Sequence, residues 1–74
     1  MKPGVVKPPE LIKALCALGG HERHRGGETI IWFPGTTIII GRRPFSRSML
    51  HRVTRKLAAG NIPPEALTRA LNGD

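Results

Sequence analysis

The sequence predicts a small α+β domain, in which a three-stranded antiparallel sheet carries two helices on one face and a short third helix follows at the C-terminus. Two observations lead to this fold class. A segment on each side repeats apolar residues at the helical period, and the segment between them contains three β-forming runs separated by Gly-Gly and Pro-Gly turns. A chain of 74 residues allows one domain, and we expect its core at about residues 7–60, with 61–74 as a helical tail.

The first helix is predicted for "PPELIKALCALGG", residues 8–20. Proline suits the first helical turn, and Glu10 complements the helix dipole there. The apolar residues Leu11, Ile12, Leu15 and Leu18 follow the 3.6-residue period. The Gly-Gly pair that follows provides a left-handed stop.

Three strands in a meander are predicted for "HERHR", "ETIIWF" and "TTIIIG". The second and third runs carry consecutive apolar residues instead of a clean alternation, so some of these side chains must point away from the core. The candidates are Ile30, Ile31, Trp32, Phe33, Ile38, Ile39 and Ile40. Two interpretations stay open: an apolar outer face that binds a partner, or a face covered by a terminal helix. Trp32 could stack on a nucleic-acid base or belong to the core or an interface.

The second helix is predicted for "RSMLHRVTRKLAAG", residues 47–60, with Ser46 as its N-cap and Gly60 at its end. Leu50, Val53 and Leu57 form its buried stripe. A third, short helix is predicted within "IPPEALTRALNGD", with Leu67 and Leu71 on one side.

Several classes of protein are disfavoured by composition. The single cysteine, Cys16, excludes an internal disulfide, and together with the three histidines it lacks the spacing of a zinc site, so we expect a buried, inert thiol and no metal or cofactor. No apolar run approaches the roughly 20 residues of a membrane span. The opening "MKPGVVKPPE" lacks a signal-peptide core, so a cytoplasmic location is expected.

Charge is the strongest compositional feature. The net charge is +7 and the pI is near 11.3, which favours a polyanion or an acidic protein as partner. The excess lies in the middle of the chain, where eight cations face one acid, Glu28. The cations, all candidates for binding RNA phosphates, are Arg23, Arg25, Arg42, Arg43, Arg47, Arg52, Arg55 and Lys56.

The order of elements, the length and this basic segment resemble the HicA family of small toxins over residues 7–62. The matching stretches are "PPELIKALCALGG", "RHRGGET", "PGTTIIIGRRP" and "SRSMLHRVTRKLAAGNI". The resemblance implies an α-β-β-β-α sandwich like that of double-stranded-RNA-binding domains. It also implies an endoribonuclease, the mRNA interferase of a type II toxin–antitoxin pair, which cleaves mRNA without a metal, inhibits translation and is neutralised by a HicB-like antitoxin.

The chain departs from the family at the catalytic position. The family turn reads Arg-x-x-Gly-Ser-His, and its histidine is catalytic; here Arg23 and Gly26 match, but Gly27 and Glu28 replace the Ser and the His. RNA cleavage by 2′-hydroxyl attack needs a base and an acid, roles that imidazole fills well near neutral pH. A carboxylate of pKa about 4.3 is a weaker base.

The candidate catalytic residues are therefore Glu28 as base, with His24 or His51 as its helper. The alternatives are that Glu28 is only a strand-edge residue paired with an arginine, and that the chain is an inactive RNA-binding or antitoxin-binding relative. His21 is expected to be solvated. A further class, a ribosome-associated or phage DNA-binding basic protein, also fits the charge.

Overall fold

The computed structural model describes residues 5–73 and confirms the predicted α+β fold. The elements in chain order are β1 (Val5–Val6), α1 (Pro8–Ala17), β2 (His21–Arg25), β3 (Glu28–Phe33), β4 (Thr36–Ile40), β5 (Phe45–Ser46), α2 (Arg47–Ala59) and α3 (Pro64–Asn72). The strands β1 and β5 were not predicted. Two parts of the predictions lie outside the described residues: residues 1–4 of the opening segment "MKPGVVKPPE", and Asp74 at the end of the segment predicted to contain the third helix.

The central sheet is the predicted antiparallel meander, in the order β2-β3-β4. Its register pairs Arg25 with Glu28 at the first turn and His24 with Thr29 one step further along. The unpredicted strands form a separate two-stranded ladder, in which Val6 pairs with Phe45. This ladder joins the segment before α1 to the segment before α2, so both helices start from one fixed point.

The two faces of the sheet differ sharply in burial. One face packs against the helices, and its apolar side chains are Ile31, Phe33, Ile38 and Ile40. On the other face Trp32 is 49% exposed and Ile39 is 53% exposed. The expectation that some apolar side chains point outward is confirmed, and α3 packs against α1 and α2, so it does not cover that outer face.

The hydrophobic core includes side chains from outside residues 7–60. Val6 from β1 and Leu67 from α3 are both buried within the same cluster as the sheet and the two main helices. Leu71 packs at the margin of this cluster. The C-terminal helix therefore contributes side chains to the hydrophobic core.

Both main helices end in a Schellman motif, but only the motif after α1 has a glycine at its left-handed position. At the end of α1, Gly19 has φ 100°, and the Gly20 N–H donates to the Leu15 carbonyl at 3.1 Å. At the end of α2 Gly60 is the C-cap, which confirms the predicted helix end, and the left-handed residue is the following Asn61, with φ 67°. Asparagine is the side chain that best tolerates this conformation after glycine.

Gly60 is needed for a different reason, which is close packing. A β-carbon on Gly60 would lie 3.1 Å from Thr36 Cγ2 and 3.2 Å from the Pro34 carbonyl oxygen. On the other side of this contact, a β-carbon on Gly35 would lie 3.6 Å from the Gly60 Cα. The C-terminal end of α2 is thus held directly against the β3–β4 turn.

Candidate nucleic-acid interface

The β2–β3 hairpin forms one end of the molecule. It turns through Gly26, at φ 60°, and Gly27, so that Arg25 and Glu28 stand opposite each other. The Arg42 guanidinium, beyond the end of β4, lies against this turn: a β-carbon on Gly27 would be 3.4 Å from Nη2. We use the term hairpin end for five residues, which are Arg25, Gly26, Gly27, Glu28 and Arg42.

Glu28 is exposed at the hairpin end. Its side chain belongs to the open face of the sheet, because alternate residues of a strand point to opposite faces and Glu28 shares its parity with the exposed Trp32. Among residues 5–73 its carboxylate makes no ion pair or hydrogen bond, so Arg25 is its cross-strand neighbour without being bonded to it. The carboxylate is therefore accessible to a ligand.

His24 belongs to the opposite face from Glu28. Its Nε2 lies 3.0 Å from Glu22 Oε2, and its Nδ1 lies 3.5 Å from Thr29 Oγ1. The second predicted helper, His51, is exposed on α2, which packs against that same face of the sheet. The three predicted catalytic residues are thus not brought together on one face, because both histidines lie on the helix side.

Glu22 also contacts the only cysteine. The Cys16 thiol donates to Glu22 Oε1 at 3.7 Å, and the side chain is partly buried instead of fully buried as predicted. Burial first, and the neighbouring carboxylate second, raise the pKa of the Cys16 thiol. A raised pKa leaves less thiolate, the reactive form, so this geometry agrees with an inert cysteine.

A basic groove runs along the exposed side of α2. It is lined by Ser46, Arg47, Ser48, His51, Arg52 and Arg55. Ser46 was predicted as the N-cap of α2, and this is confirmed, because its hydroxyl oxygen accepts a hydrogen bond from the Met49 N–H at 3.4 Å. Lys56 is exposed one turn beyond Arg52. We call Arg47, His51, Arg52, Arg55 and Lys56 the α2 basic surface.

The α2 basic surface begins at the same end of the sheet as the hairpin end. The last residues of α2 contact the β3–β4 turn, so the helix runs back along β4 and its first turn lies at the opposite end, where β4 stops. Arg42 and Arg43 occupy the connection between the two regions. A band of cations therefore extends from the hairpin end onto α2.

The remaining two predicted cations, Arg23 and Arg25, share the open face of the sheet with His21. The eight cations consequently lie on two sides of the domain that meet at the hairpin end. All eight are exposed, and within the described part of the chain none forms an ion pair with an acid. Their charge is thus available to an external anion.

Two features of this interface were missed by sequence reasoning. The rings of His21 and Trp32 lie together on the open face, with centroids 5.7 Å apart and planes 44° apart. The Arg42 guanidinium lies beside Gly27, although 15 positions separate them. Both follow from strand register, which composition and periodicity alone do not fix.

No helix within residues 5–73 is long and apolar enough to cross a membrane, and no three metal-ligating side chains are grouped there. Comparisons with protein family models, curated proteins and solved structures give no match to this chain.

Proposed function

We propose that this protein binds RNA, as a HicA-type member of a toxin–antitoxin pair, and that the hairpin end and the α2 basic surface contact the phosphate backbone. The observation that carries the proposal is a set of eight exposed cations that form no ion pair within residues 5–73, in a segment that contains one acid, Glu28. A charge excess that served only solubility would not need to be concentrated between residues 23 and 56. Seven of the eight cations are arginines, whose planar fork binds two phosphate oxygens at once.

The preference for RNA over other polyanions comes from the HicA resemblance of residues 7–62. A HicB-like antitoxin is the corresponding protein partner, and its acidic or apolar groups would compete with RNA for the same cations. Domains that bind double-stranded RNA read shape and backbone, not base sequence, and the groove on α2 offers the hydroxyl and guanidinium donors that such contacts use.

The test of binding is fluorescence anisotropy with labelled RNA and duplex DNA of one length, titrated over a series of salt concentrations. Binding through phosphates gives an affinity for RNA that falls linearly in log–log form as salt rises. Equal or tighter binding to duplex DNA would reassign the protein to the DNA-binding class. A salt-independent affinity would overturn binding through phosphates, and the absence of any affinity would overturn RNA binding altogether.

A second candidate function, RNA cleavage without a metal, is favoured by the Glu28 carboxylate. It is accessible on the open face, next to Arg25 and at the same turn as the Arg42 guanidinium. In that role Glu28 takes the 2′-hydroxyl proton while the guanidinium groups stabilise the negative charge of the transition state. Neither His24 nor His51 shares this face, so the leaving 5′-oxygen receives its proton from water, and we expect the parent chain to cleave slowly.

Substituting Glu28 separates binding from cleavage. We expect Glu28→His to raise the rate of RNA cleavage by about 100-fold in EDTA, because general acid–base catalysis by a positioned imidazole contributes on the order of 10²–10⁴-fold. The rate is measured on a labelled RNA by gel electrophoresis, and the affinity is measured in parallel.

Glu28→Gln is the matched control, since it keeps the size of the side chain and removes the base. If the parent cleaves and Glu28→Gln does not, the carboxylate itself is the base and the protein is an endoribonuclease. If Glu28→His leaves the rate unchanged while RNA still binds, position 28 is not the site of cleavage.

A further inference from the structure

The open face of the sheet carries an exposed aromatic and apolar patch. It consists of Trp32 and Ile39, each about half exposed, and the partly buried Ile30 between them. The described helices all pack on the opposite side, so this patch faces outward. A shallow groove over it is lined by His21, Glu22, Arg23, Ile30, Trp32 and Thr37.

The patch is aromatic at one end of the groove. The His21 ring contacts the Trp32 ring at a centroid distance of 5.7 Å, and the two residues are direct cross-strand partners. Such a contact restricts the rotamers of both rings and holds the indole in place on the sheet. An indole ring that is fixed by a neighbouring ring and about half exposed to solvent is the type of surface on which an unpaired base stacks.

Cations line the same face along the edge strand β2. Arg23 and Arg25 are these cations, and they alternate on this face with the neighbouring His21, so adjacent side chains are separated by about 6.7 Å along the strand. Arg23 stands opposite Ile30, beside the aromatic pair, and Arg25 stands at the hairpin end. A row of positive charge therefore runs from the aromatic pair towards the α2 basic surface.

A second copy of the chain is a poor occupant of this face. The edge strand reads "HERHR", and antiparallel pairing with another copy, centred on Arg23, would set the two Arg23 side chains against each other. The apolar part of the face has three side chains, whereas a stable dimer buries about 800 Å² on each partner. An acidic peptide would satisfy the arginines but makes no use of a fixed aromatic pair.

We infer that the open face of the sheet binds unpaired bases of single-stranded RNA, with Trp32 as the stacking platform and Arg23 and Arg25 as contacts to the phosphates. This inference rests on the proposed RNA binding and adds to it the class of RNA that the face selects. Duplex segments contact the α2 basic surface, while a single-stranded segment crosses the hairpin end onto the sheet.

Trp32 is the only tryptophan of the chain, so its fluorescence reports on this face alone. We expect a short single-stranded oligoribonucleotide to quench the fluorescence of the full chain, and a blunt RNA duplex of equal length to bind without quenching. Stacking of one base predicts that Trp32→Leu weakens single-strand binding by about 5- to 100-fold, measured by anisotropy. Trp32→Phe, which keeps a ring, should lose less than Trp32→Leu.

Met49→Ala is the control for loss of an exposed apolar side chain, because Met49 lies on α2. Circular dichroism and thermal unfolding of each variant verify that the fold is kept. The inference is overturned if the chain binds RNA while its fluorescence and the affinity of Trp32→Leu stay unchanged; RNA binding through α2 would then still stand. If the parent binds no RNA, the proposed function itself fails.

Two further results would assign the face to another occupant and so overturn the inference. Fluorescence that changes with protein concentration alone, together with a dimer mass in sedimentation, would assign it to a second copy. Quenching by polyglutamate as strong as quenching by the oligoribonucleotide would assign it to an acidic protein.

Discussion

Gly20→Ala is expected to lower the free energy of unfolding by about 3 kcal/mol, at the upper end of the range for overpacking a core. Gly20 joins α1 to β2, and its missing side chain leaves room for the core. A β-carbon there would overlap Ile31 Cγ2 and lie 2.9 Å from Phe33 Cζ and 3.0 Å from the Leu15 carbonyl oxygen. Two of these atoms belong to buried side chains and one to the backbone, so none can move away freely.

The measurement is thermal and urea unfolding followed by circular dichroism. A small domain has a total stability on the order of 5 kcal/mol, so the loss is a large part of it. The melting temperature should fall by about 12–24 °C, since 1 kcal/mol corresponds to about 4–8 °C in a domain of this size.

Gly41→Ala is the matched control for this substitution. Gly41 follows β4, does not adopt a positive φ, and has no atom within 4 Å of its built β-carbon. Its replacement should leave stability within about 0.5 kcal/mol or raise it slightly. Equal melting temperatures for the two variants would contradict the packing of α1 against the sheet at Gly20.

The second large effect concerns RNA affinity. The double substitution Arg52→Ala and Arg55→Ala is expected to weaken RNA binding by about 100-fold at moderate salt, because a hydrogen bond to a charged group contributes about 1.5–3 kcal/mol. The slope of log affinity against log salt should become shallower by about 1.4–1.8, as two phosphate contacts are lost. Both quantities come from the same anisotropy titration.

A second pair removes the same charge from elsewhere on the surface. Lys13 on α1 and Arg69 on α3 lie beside the groove between those helices, away from the α2 basic surface. Replacing both with alanine lowers the net charge by the same amount, so long-range attraction falls equally in the two double variants. If both pairs reduce affinity and slope to the same extent, α2 carries no specific contacts and only the net charge of the domain matters.

The regular elements of this fold could be predicted because the residues that begin and end them are local. Ser46 before α2 and the Gly-Gly pair after α1 act within a few residues of their own position. The strands β1 and β5 could not be predicted in this way. Each has two residues, and their pairing depends on a contact between segments about 40 positions apart.

In the candidate interface, too, local features could be predicted from the sequence and features that depend on tertiary packing could not. Strand alternation alone places His24 on the opposite face from Arg23, so this feature could be predicted. Which face the helices cover could not, because "TIIWF" and "TTIII" are apolar at both parities. The end of α2 shows the limit again: Gly60 was correctly predicted to end the helix, but its close approach to Pro34 and Thr36 of the β3–β4 turn is revealed by no local pattern.

The contact between Gly35 and Gly60 makes the two ends of this domain unequal in how they can evolve. A β-carbon on Gly60 would lie 3.1 Å from Thr36 Cγ2 and 3.2 Å from the Pro34 carbonyl oxygen, so a side chain at position 60 would have to displace either α2 or the β3–β4 turn. At the hairpin end a β-carbon on Gly26 meets nothing within 4 Å, and one on Gly27 meets only the tip of Arg42. A side chain at Gly26 would be strained by its φ of 60°, whereas Gly27 has no positive φ, so a side chain at position 27 can change the contact with Arg42, and with it the ligand preference, without disturbing the core.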